Sequence, residues 1–194
     1  MPLSKPAFFL VAGMFSSMCG KGDARPLQSS VEHGVIVLPN SVVIRARADE
    51  LSGVGPDGKV KWSLKLEGGE QVLGIPSAAP NSTSYVRTTS SLRALSPEGE
   101  WLWKVPLPAH VAKGGSFAYS PAAMTDSAAV VLVEGQTYRA YTPAGEARWD
   151  ISVDANEMPR SPPQVAPDGQ VYLLTDQSLY AVLPTGKLRW RLAR

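Results

Sequence analysis

The sequence predicts an all-β fold, a β-propeller of four-stranded antiparallel blades with four blades in this chain. Three observations lead to this prediction. A motif of twelve residues occurs four times, its tryptophans are spaced at similar intervals, and the flanking segments alternate polar and apolar residues. Alternation with a period of two is typical of strands. No segment of useful length after residue 30 has the period of a helix, so the array is predicted to consist of strands alone.

The recurring motif gives the array its period. It reads LSGVGPDGKVKW at residues 51–62, LRALSPEGEWLW at 92–103, YRAYTPAGEARW at 138–149 and LYAVLPTGKLRW at 179–190. Its tryptophans follow one another after 41, 46 and 41 residues. Intervals of about 40 to 50 residues are typical of propeller blades and of helical arrays. The strand-like alternation inside each unit favours the propeller.

Each position of the motif has a physical role in a hairpin. Proline presets φ at the entry of a turn and glycine two places later adopts a positive φ, so Pro-x-Gly reverses the chain between antiparallel strands. The tryptophan lies on the outgoing strand, where its indole should fill the gap between blades while its N–H finds a partner. If Trp190 is core, its replacement by Ala costs about 3–5 kcal/mol. The structural repeat residues are therefore Pro56, Gly58, Trp62, Pro97, Gly99, Trp103, Pro143, Gly145, Trp149, Pro184, Gly186 and Trp190.

The four units divide into strands in the same order, from the innermost to the outermost. In the last unit the strands are predicted at residues 162–166, 170–174, 177–183 and 187–192. Pro162 and Pro163 suit the start of a blade, because proline is tolerated only at strand beginnings and sheet edges. The blades are predicted at about residues 33–68, 71–108, 116–154 and 161–194.

The first motif also contains Gly53-x-Gly55-x-x-Gly58, a pattern shared with nucleotide-binding loops. A dinucleotide fingerprint opens a helix, and a phosphate loop has Ser or Thr after its lysine. Here Val60 follows Lys59, and the chain continues with the strand-like alternation KVKWSLKL. Both interpretations lack the helix N-terminus that would hold a phosphate. We therefore predict a hairpin turn and no nucleotide site.

Residues 162–190, PPQVAPDGQVYLLTDQSLYAVLPTGKLRW, resemble the repeat of the PQQ-like (quinoprotein-type) β-propellers. That family includes quinoprotein alcohol dehydrogenases, the propeller lipoprotein of the bacterial outer-membrane β-barrel assembly machinery, and exported repeat proteins. The resemblance covers residues 33–194 and is specific for the blade. It implies the propeller fold, and it does not by itself imply a chemistry.

The chain departs from the dehydrogenases of that family. Their docking motif is Ala-x-Asp-x-x-Thr-Gly-x-x-x-Trp, whereas AVLPTGKLRW at residues 181–190 is one residue shorter and has Leu183 where the aspartate stands. Their vicinal disulfide needs two adjacent cysteines, and this chain has one Cys. Asp168 and Asp176 are expected in hairpin turns, not in a calcium site. We therefore predict no cofactor and no cofactor-binding residue.

Other catalytic arrangements find little support in the sequence. His33 and His110 are the only histidines, and neither has metal-ligand spacing to a second His or Cys. There is no Gly-x-Ser-x-Gly elbow, although a catalytic triad can assemble in space from distant residues. The chain is predicted not to be an enzyme, with no catalytic or metal-binding residue. The alternative is a fragment or relative of a PQQ-dependent dehydrogenase, or another enzyme with a spatially assembled site.

The N-terminus predicts export. One lysine is followed by the apolar run AFFLVAGMF at residues 7–15 and then by SSMCG, which is the order of a secretory signal and too short to span a bilayer. Cys19 resembles a bacterial lipobox cysteine, which is lipidated after cleavage. Residues 1–19 are thus predicted as a signal peptide of lipoprotein type and residues 20–32 as a tether. The expected location is periplasmic or cell-surface, with contact to the membrane through the lipid anchor only.

Composition and charge narrow the partners. A net charge of +2 gives little signal for nucleic acid. The basic residues near the outer strands favour a solvated face and protected edges, with an anionic partner as the alternative; they are Lys59, Lys61, Lys65, Arg148, Lys187, Arg189, Arg191 and Arg194. We predict a non-catalytic binding or scaffold module at the cell envelope, with a protein or glycan as partner.

The sequence does not determine how the blades close into a ring. Propellers close with four to eight blades, and the chain has four units, each running from an innermost to an outermost strand. Three arrangements fit: a ring of four blades, a head-to-tail homodimer that completes a ring of eight blades, or a fragment with an exposed blade face.

Overall fold

The computed structural model of the protein describes residues 32–107, 122–123 and 130–193. The predicted signal peptide, Cys19, His110 and nearly all of the predicted tether lie outside these residues. The described residues form sixteen strands in four sheets. Among them there is no helix long and apolar enough to cross a membrane.

The strands follow one another as antiparallel neighbours, so that each group of four consecutive strands forms one sheet. In chain order they are β1 (Glu32–Val37), β2 (Val43–Arg47), β3 (Glu50–Val54) and β4 (Val60–Lys65) in blade 1; β5 (Ser77–Ala78), β6 (Ser84–Arg87), β7 (Ser91–Leu95) and β8 (Trp101–Pro106) in blade 2; β9 (Ala122–Ala123), β10 (Val130–Glu134), β11 (Thr137–Tyr141) and β12 (Ala147–Ser152) in blade 3; β13 (Gln164–Val165), β14 (Val171–Leu174), β15 (Ser178–Val182) and β16 (Leu188–Ala193) in blade 4.

The blades are arranged side by side around a common inner edge. The first strands contact one another in the order β1, β5, β9 and β13, which places the first strand of each blade on the inside. The Pro-x-Gly turn joins the third strand to the fourth in every blade. The all-β propeller predicted from the repeat, with four four-stranded antiparallel blades, is confirmed.

A β-bulge occurs at the same place in every blade, just before the motif tryptophan. In blade 2, Ala94 pairs with Trp103 while Leu95 pairs with Trp101, which leaves Leu102 as the extra residue. The same shift precedes the other three motif tryptophans. A bulge breaks the strict alternation of faces. As a result Trp101 packs toward blade 1, whereas Trp103 packs toward blade 3.

The hydrophobic core lies between the blades. Three clusters of buried side chains fill the gaps between blades 1 and 2, 2 and 3, and 3 and 4. Their members include Ile44 and Val86, then Leu92 and Tyr141, then Tyr138 and Leu173. Each blade is thus stabilised by its neighbours along the chain, as in other repeat arrays.

Candidate binding surfaces

The motif tryptophans join each blade to the next. Trp62 Nε1 donates a hydrogen bond of 2.8 Å to the carbonyl oxygen of Pro97, in the turn of the following blade. Trp103 donates to Pro143 at 2.7 Å and Trp149 donates to Pro184 at 3.0 Å. The motif is therefore a joint in which one blade supplies the indole and the following blade supplies the turn. We call each pair an indole socket.

The glycine of each socket makes room for the indole of the preceding blade. A Cβ built on Gly186, whose φ is +86°, would lie 2.5 Å from Cγ of Trp149. Gly99 and Gly145 stand in the same relation to Trp62 and Trp103. Real Cβ contacts are longer, so a side chain there would displace the indole. The sequence predicts these glycines as turn residues alone, and the structure shows that they also form the floor of the socket.

The strand beside each tryptophan also carries a small residue. Gly53, Ala94, Ala140 and Ala181 pair across the sheet with the motif tryptophans. A Cβ on Gly53 would lie 2.3 Å from the ring of Trp62. The Ala-or-Gly position of the motif is therefore occupied by small residues that leave room for the neighbouring indole.

The last blade carries an indole and the first blade carries a turn that each correspond to one half of a socket, and these two half-sockets do not meet. Trp190, in β16, is 39% exposed, and its Nε1 has no acceptor among the described residues. At the other end, a Cβ on Gly58 would meet nothing within 4 Å. The three socketed tryptophans are half-buried. Trp190 is therefore not a core residue here, and the cost of its replacement expected for a core position does not apply.

The apolar residues around the two half-sockets are exposed as well. Val37 in blade 1 is 66% exposed, whereas Ala78 and Val165, at the same repeat position, pack against the preceding blade. In blade 4 Leu192 is 62% exposed. Its counterparts Leu64, Val105 and Ile151 are partly buried against a neighbouring blade. Both end faces thus carry side chains that are buried wherever a blade follows or precedes.

A second repeated feature is a buried carboxylate in front of blade 4. Glu157 is 1% exposed and accepts hydrogen bonds from Thr175 Oγ1 at 2.6 Å, Ser178 Oγ at 2.8 Å and Tyr180 OH at 3.0 Å. Arg191 forms an ion pair with the same carboxylate. Burial by itself would raise the pKa of Glu157, but these hydrogen bonds and the positive charge of Arg191 outweigh it and hold the pKa below its ordinary value.

Blade 2 contains the counterpart of this cluster. Glu70 is buried and accepts from Ser90 and from Lys104 Nζ, the latter at 3.0 Å, and forms an ion pair with Arg93. Burial would raise the pKa of Glu70, and the hydrogen bonds and cations outweigh it. Each carboxylate ties the connection before a blade to the hairpin of that blade. Its full set of partners indicates a structural role.

Neither buried carboxylate was predicted from the sequence, although the sequence contains a signal for them. Glu70 and Glu157 each stand 18 residues before the threonine of a Thr-x-x-Ser segment, at Thr88 and Thr175. Two units with the same acid and the same spacing would have indicated a shared contact.

The glycine pattern shared with nucleotide-binding loops and the two aspartates of the last unit lie in hairpins. The Gly53-x-Gly55-x-x-Gly58 pattern runs from β3 through a turn, closed by Gly58 N–H to Gly55 C=O at 2.9 Å, into β4. Asp168 accepts from Gln170 N at 3.0 Å, and Asp176 accepts from Met158 N at 2.9 Å.

Several outer-strand cations pair with carboxylates, namely Lys61 with Asp57, Lys65 with Asp49, and Arg191 with Asp154 and Glu157.

A compact chemical site would be marked by a cluster of metal-ligating side chains or by a cleft. Among the described residues, no group of three or more His, Cys, Asp or Glu side chains is placed to hold a metal ion. A surface cleft of about 250 Å³ lies on the outer strands of blade 3, where Arg139, Arg148, Trp149 and Asp150 line it. Two arginines and an aspartate give this open cleft a charged lining.

The repeat matches a known protein family. Residues 21–158 match the family described as outer membrane protein assembly factor BamB. The chain belongs to this family of PQQ-like repeats. A search of curated protein sequences returns no significant match.

Solved structures show the same fold at low sequence identity. BamB from Moraxella catarrhalis superposes with a TM-score of 0.64 at 16% identity, over 84% of this chain and 53% of that one. A protein of unknown function from Bacteroides caccae gives 0.61 at 11% identity, over 86% and 62%. BBS1N, solved in complex with ARL6DN, gives 0.64 at 13% identity, over 84% and 52%. The superposed part of the chain thus spans about half to three fifths of these structures.

Proposed function

We propose that the chain is a non-catalytic propeller scaffold at the bacterial cell envelope, and that it binds protein partners during outer-membrane protein assembly. The observation that carries this proposal is the match of residues 21–158 to the family of outer membrane protein assembly factor BamB. The fold supports it, since rigid blades present loops at both faces of an array. The BBS1N structure, which was solved with ARL6DN bound, is an example of a related fold in a protein complex.

The proposal includes export of the protein and its anchoring at a membrane. Residues 1–19 direct export, and lipidated Cys19 holds the blades at a membrane through the tether of residues 20–32. In labelling with a radioactive fatty acid, wild-type protein is expected to carry the label and Cys19→Ser to lose it. A Cys19→Ser variant that keeps the label, or a wild type that never gains it, would contradict the anchor.

The assembly role is tested by deleting the gene in its source bacterium and measuring β-barrel proteins in the outer membrane. We expect their abundance to fall, and to recover when the wild-type gene is returned. Unchanged barrel levels would count against the proposal. A glycan partner is the alternative, and binding of the purified protein to isolated envelope polysaccharide would favour it.

The competing assignment is a PQQ-dependent enzyme. Purified protein is incubated with PQQ, Ca²⁺, an alcohol and an artificial electron acceptor, and its melting temperature is recorded with and without PQQ and Ca²⁺. A scaffold is expected to show neither turnover nor a rise in melting temperature, because only a ligand that binds the native state raises stability. Either signal would overturn the non-catalytic assignment.

A further inference from the structure

We propose that the surface cleft of blade 3 binds an aromatic ring that has a carboxylate beside it. The cleft has a volume of about 250 Å³ and lies over β11 and β12. Arg139, Ala147, Arg148 and Asp150 are among the residues that line it. The proposal goes beyond the scaffold role, because it assigns a ligand chemistry to one internal blade.

Two of the lining side chains lie on the face of blade 3 that turns toward blade 2. Tyr138 and Ala140 pack toward blade 4, so Arg139 between them points the other way. Tyr141 packs toward blade 2, and Ala147 is its partner across the ladder, on the same face of the sheet. A group that enters the cleft can therefore contact Arg139 and Ala147 together.

The repeat explains why a cleft opens at this place. The equivalent of Ala147 in blade 2 is Trp101, since each stands four residues after the proline of its motif. The equivalent of Arg139 is Arg93, and its guanidinium carbon lies 4.9 Å from the centre of the Trp101 ring. Blade 3 keeps the arginine and has an alanine in place of the tryptophan. The space that an indole fills in blade 2 is therefore open in blade 3 beside an arginine.

The size of the cleft suits one aromatic side chain. Pockets for drug-sized ligands measure about 300–1,000 Å³, so a cleft of about 250 Å³ takes a smaller group. A guanidinium close to the face of an aromatic ring attracts it through the cation–π interaction, and blade 2 makes this contact between Arg93 and Trp101. A ring supplied by another molecule can make the same contact with Arg139.

Arg148 accounts for the carboxylate of the ligand. It is the extra residue of the β-bulge in blade 3, and it is exposed at the edge of the cleft. Two arginines and the single carboxylate of Asp150 give the lining a net positive charge, which favours a ligand with a negative group. A planar guanidinium can hold a carboxylate through two parallel hydrogen bonds. The cleft therefore combines a position for a ring with a position for an anion.

The test is an NMR titration of the isotope-labelled, full-length protein with N-acetyltryptophan, which has both an indole and a carboxylate. We expect saturable shifts of the backbone amide signals of Ala147 and Arg148. N-acetylleucine lacks the ring and N-acetyltryptophanamide lacks the charge. Each should bind about five-fold more weakly, as expected for the loss of one exposed cation–π contact or ion pair. Equal binding of the three compounds, or shifts confined to other blades, would overturn the proposal.

Ala147→Trp closes the cleft with the protein's own side chain. Because it gives blade 3 the indole that blade 2 has in Trp101, it should abolish the binding of N-acetyltryptophan. Ala144→Trp is the matched control, since it adds the same side chain at an exposed position of the turn and should leave the binding unchanged. Binding of wild-type strength by Ala147→Trp contradicts the proposal.

Arg148→Gln separates the two parts of the ligand and does not depend on the insertion of an indole. It should remove the preference for N-acetyltryptophan over its amide and keep the preference for N-acetyltryptophan over N-acetylleucine. A preference for the charged compound that survives this substitution would refute the role of Arg148. The titration uses no partner protein and no membrane, so its outcome is independent of the proposed role in assembly.

Discussion

Trp149 and Trp190 occupy the same position of the repeat and differ in whether a further blade packs against them. Trp149 lies on Gly186 and donates to Pro184, whereas Trp190 is 39% exposed and has Tyr172 as its aromatic neighbour, at 6.1 Å between ring centroids. The sequences around the two are alike. The comparison shows that one copy of the motif supplies only part of the contact. The indole becomes part of a core only where the following blade supplies the turn with its proline and glycine.

The largest effect should come from removing the two indoles in turn. Trp149→Ala loses the hydrogen bond and leaves a cavity between blades 3 and 4, at an expected cost of about 3–5 kcal/mol. Trp190→Ala should cost about 1 kcal/mol or less. Urea unfolding of the two variants measures both losses. Equal losses would show that Trp190 is socketed within its own chain, and would contradict the comparison.

Gly186 and Gly58 allow the same comparison between a filled and an empty socket, on the side of the turn. Gly186→Ala combines a positive φ of +86° with a Cβ only 2.5 Å from Trp149; strain and overpacking together should cost about 2–4 kcal/mol. Gly58→Ala has a φ of +74° and no atom within 4 Å, so only the strain of about 1–2 kcal/mol remains. Thermal unfolding of both variants checks the difference.

The buried carboxylates should make the stability depend on acid. The folded-state pKa values of Glu157 and Glu70 lie below the ordinary value of 4.5. Both groups therefore contribute stability that is fully present above about pH 4.5 and is lost as the pH falls through the folded-state values. Glu157→Gln should lower stability at pH 7 and flatten the acid limb of the curve of unfolding free energy against pH. Glu98→Gln, at an exposed turn position, is the control, and an identical acid limb in both variants would contradict the role of Glu157.

The smallest effect is expected at Tyr138, in the core between blades 3 and 4. Its hydroxyl is buried without a hydrogen-bond partner among the described residues, and burial together with Tyr180 and Glu157 raises its pKa. Because an unsatisfied buried hydroxyl costs free energy, Tyr138→Phe should be neutral or stabilising by up to about 1 kcal/mol. Calorimetry decides the sign, and a loss of several kcal/mol would show that the hydroxyl has a partner.

The fold could be predicted from the sequence because the motif repeats. Pro97, Gly99 and Trp103 recur at fixed positions, and a hairpin follows from their backbone preferences alone. The identity of the indole's acceptor did not follow, because it lies in the next blade and depends on how two sheets pack. The exposure of Trp190 was equally hidden, since its own sequence is that of a socketed residue. Burial at such a position is a property of the neighbouring blade.

The buried carboxylates show a different limit. Glu70 and Glu157 lie outside the recurring motif, in connections where acidic residues are usually solvated. Their burial results from several hydroxyls and cations that converge from three strands of a folded blade. A pattern confined to one strand contains no information about that convergence, and only the paired spacing to Thr88 and Thr175 indicates it.

The carboxylate clusters add a second kind of contact to blades 2 and 4. Glu70 and Glu157 lie in the connections that precede these blades, and each pairs with cations on the outer strands, Glu70 with Arg93 and Lys104 and Glu157 with Arg191. The chain that enters each of these blades is thereby fixed to the strands that leave it. A change in the length of either connection would have to keep its carboxylate within reach of those cations.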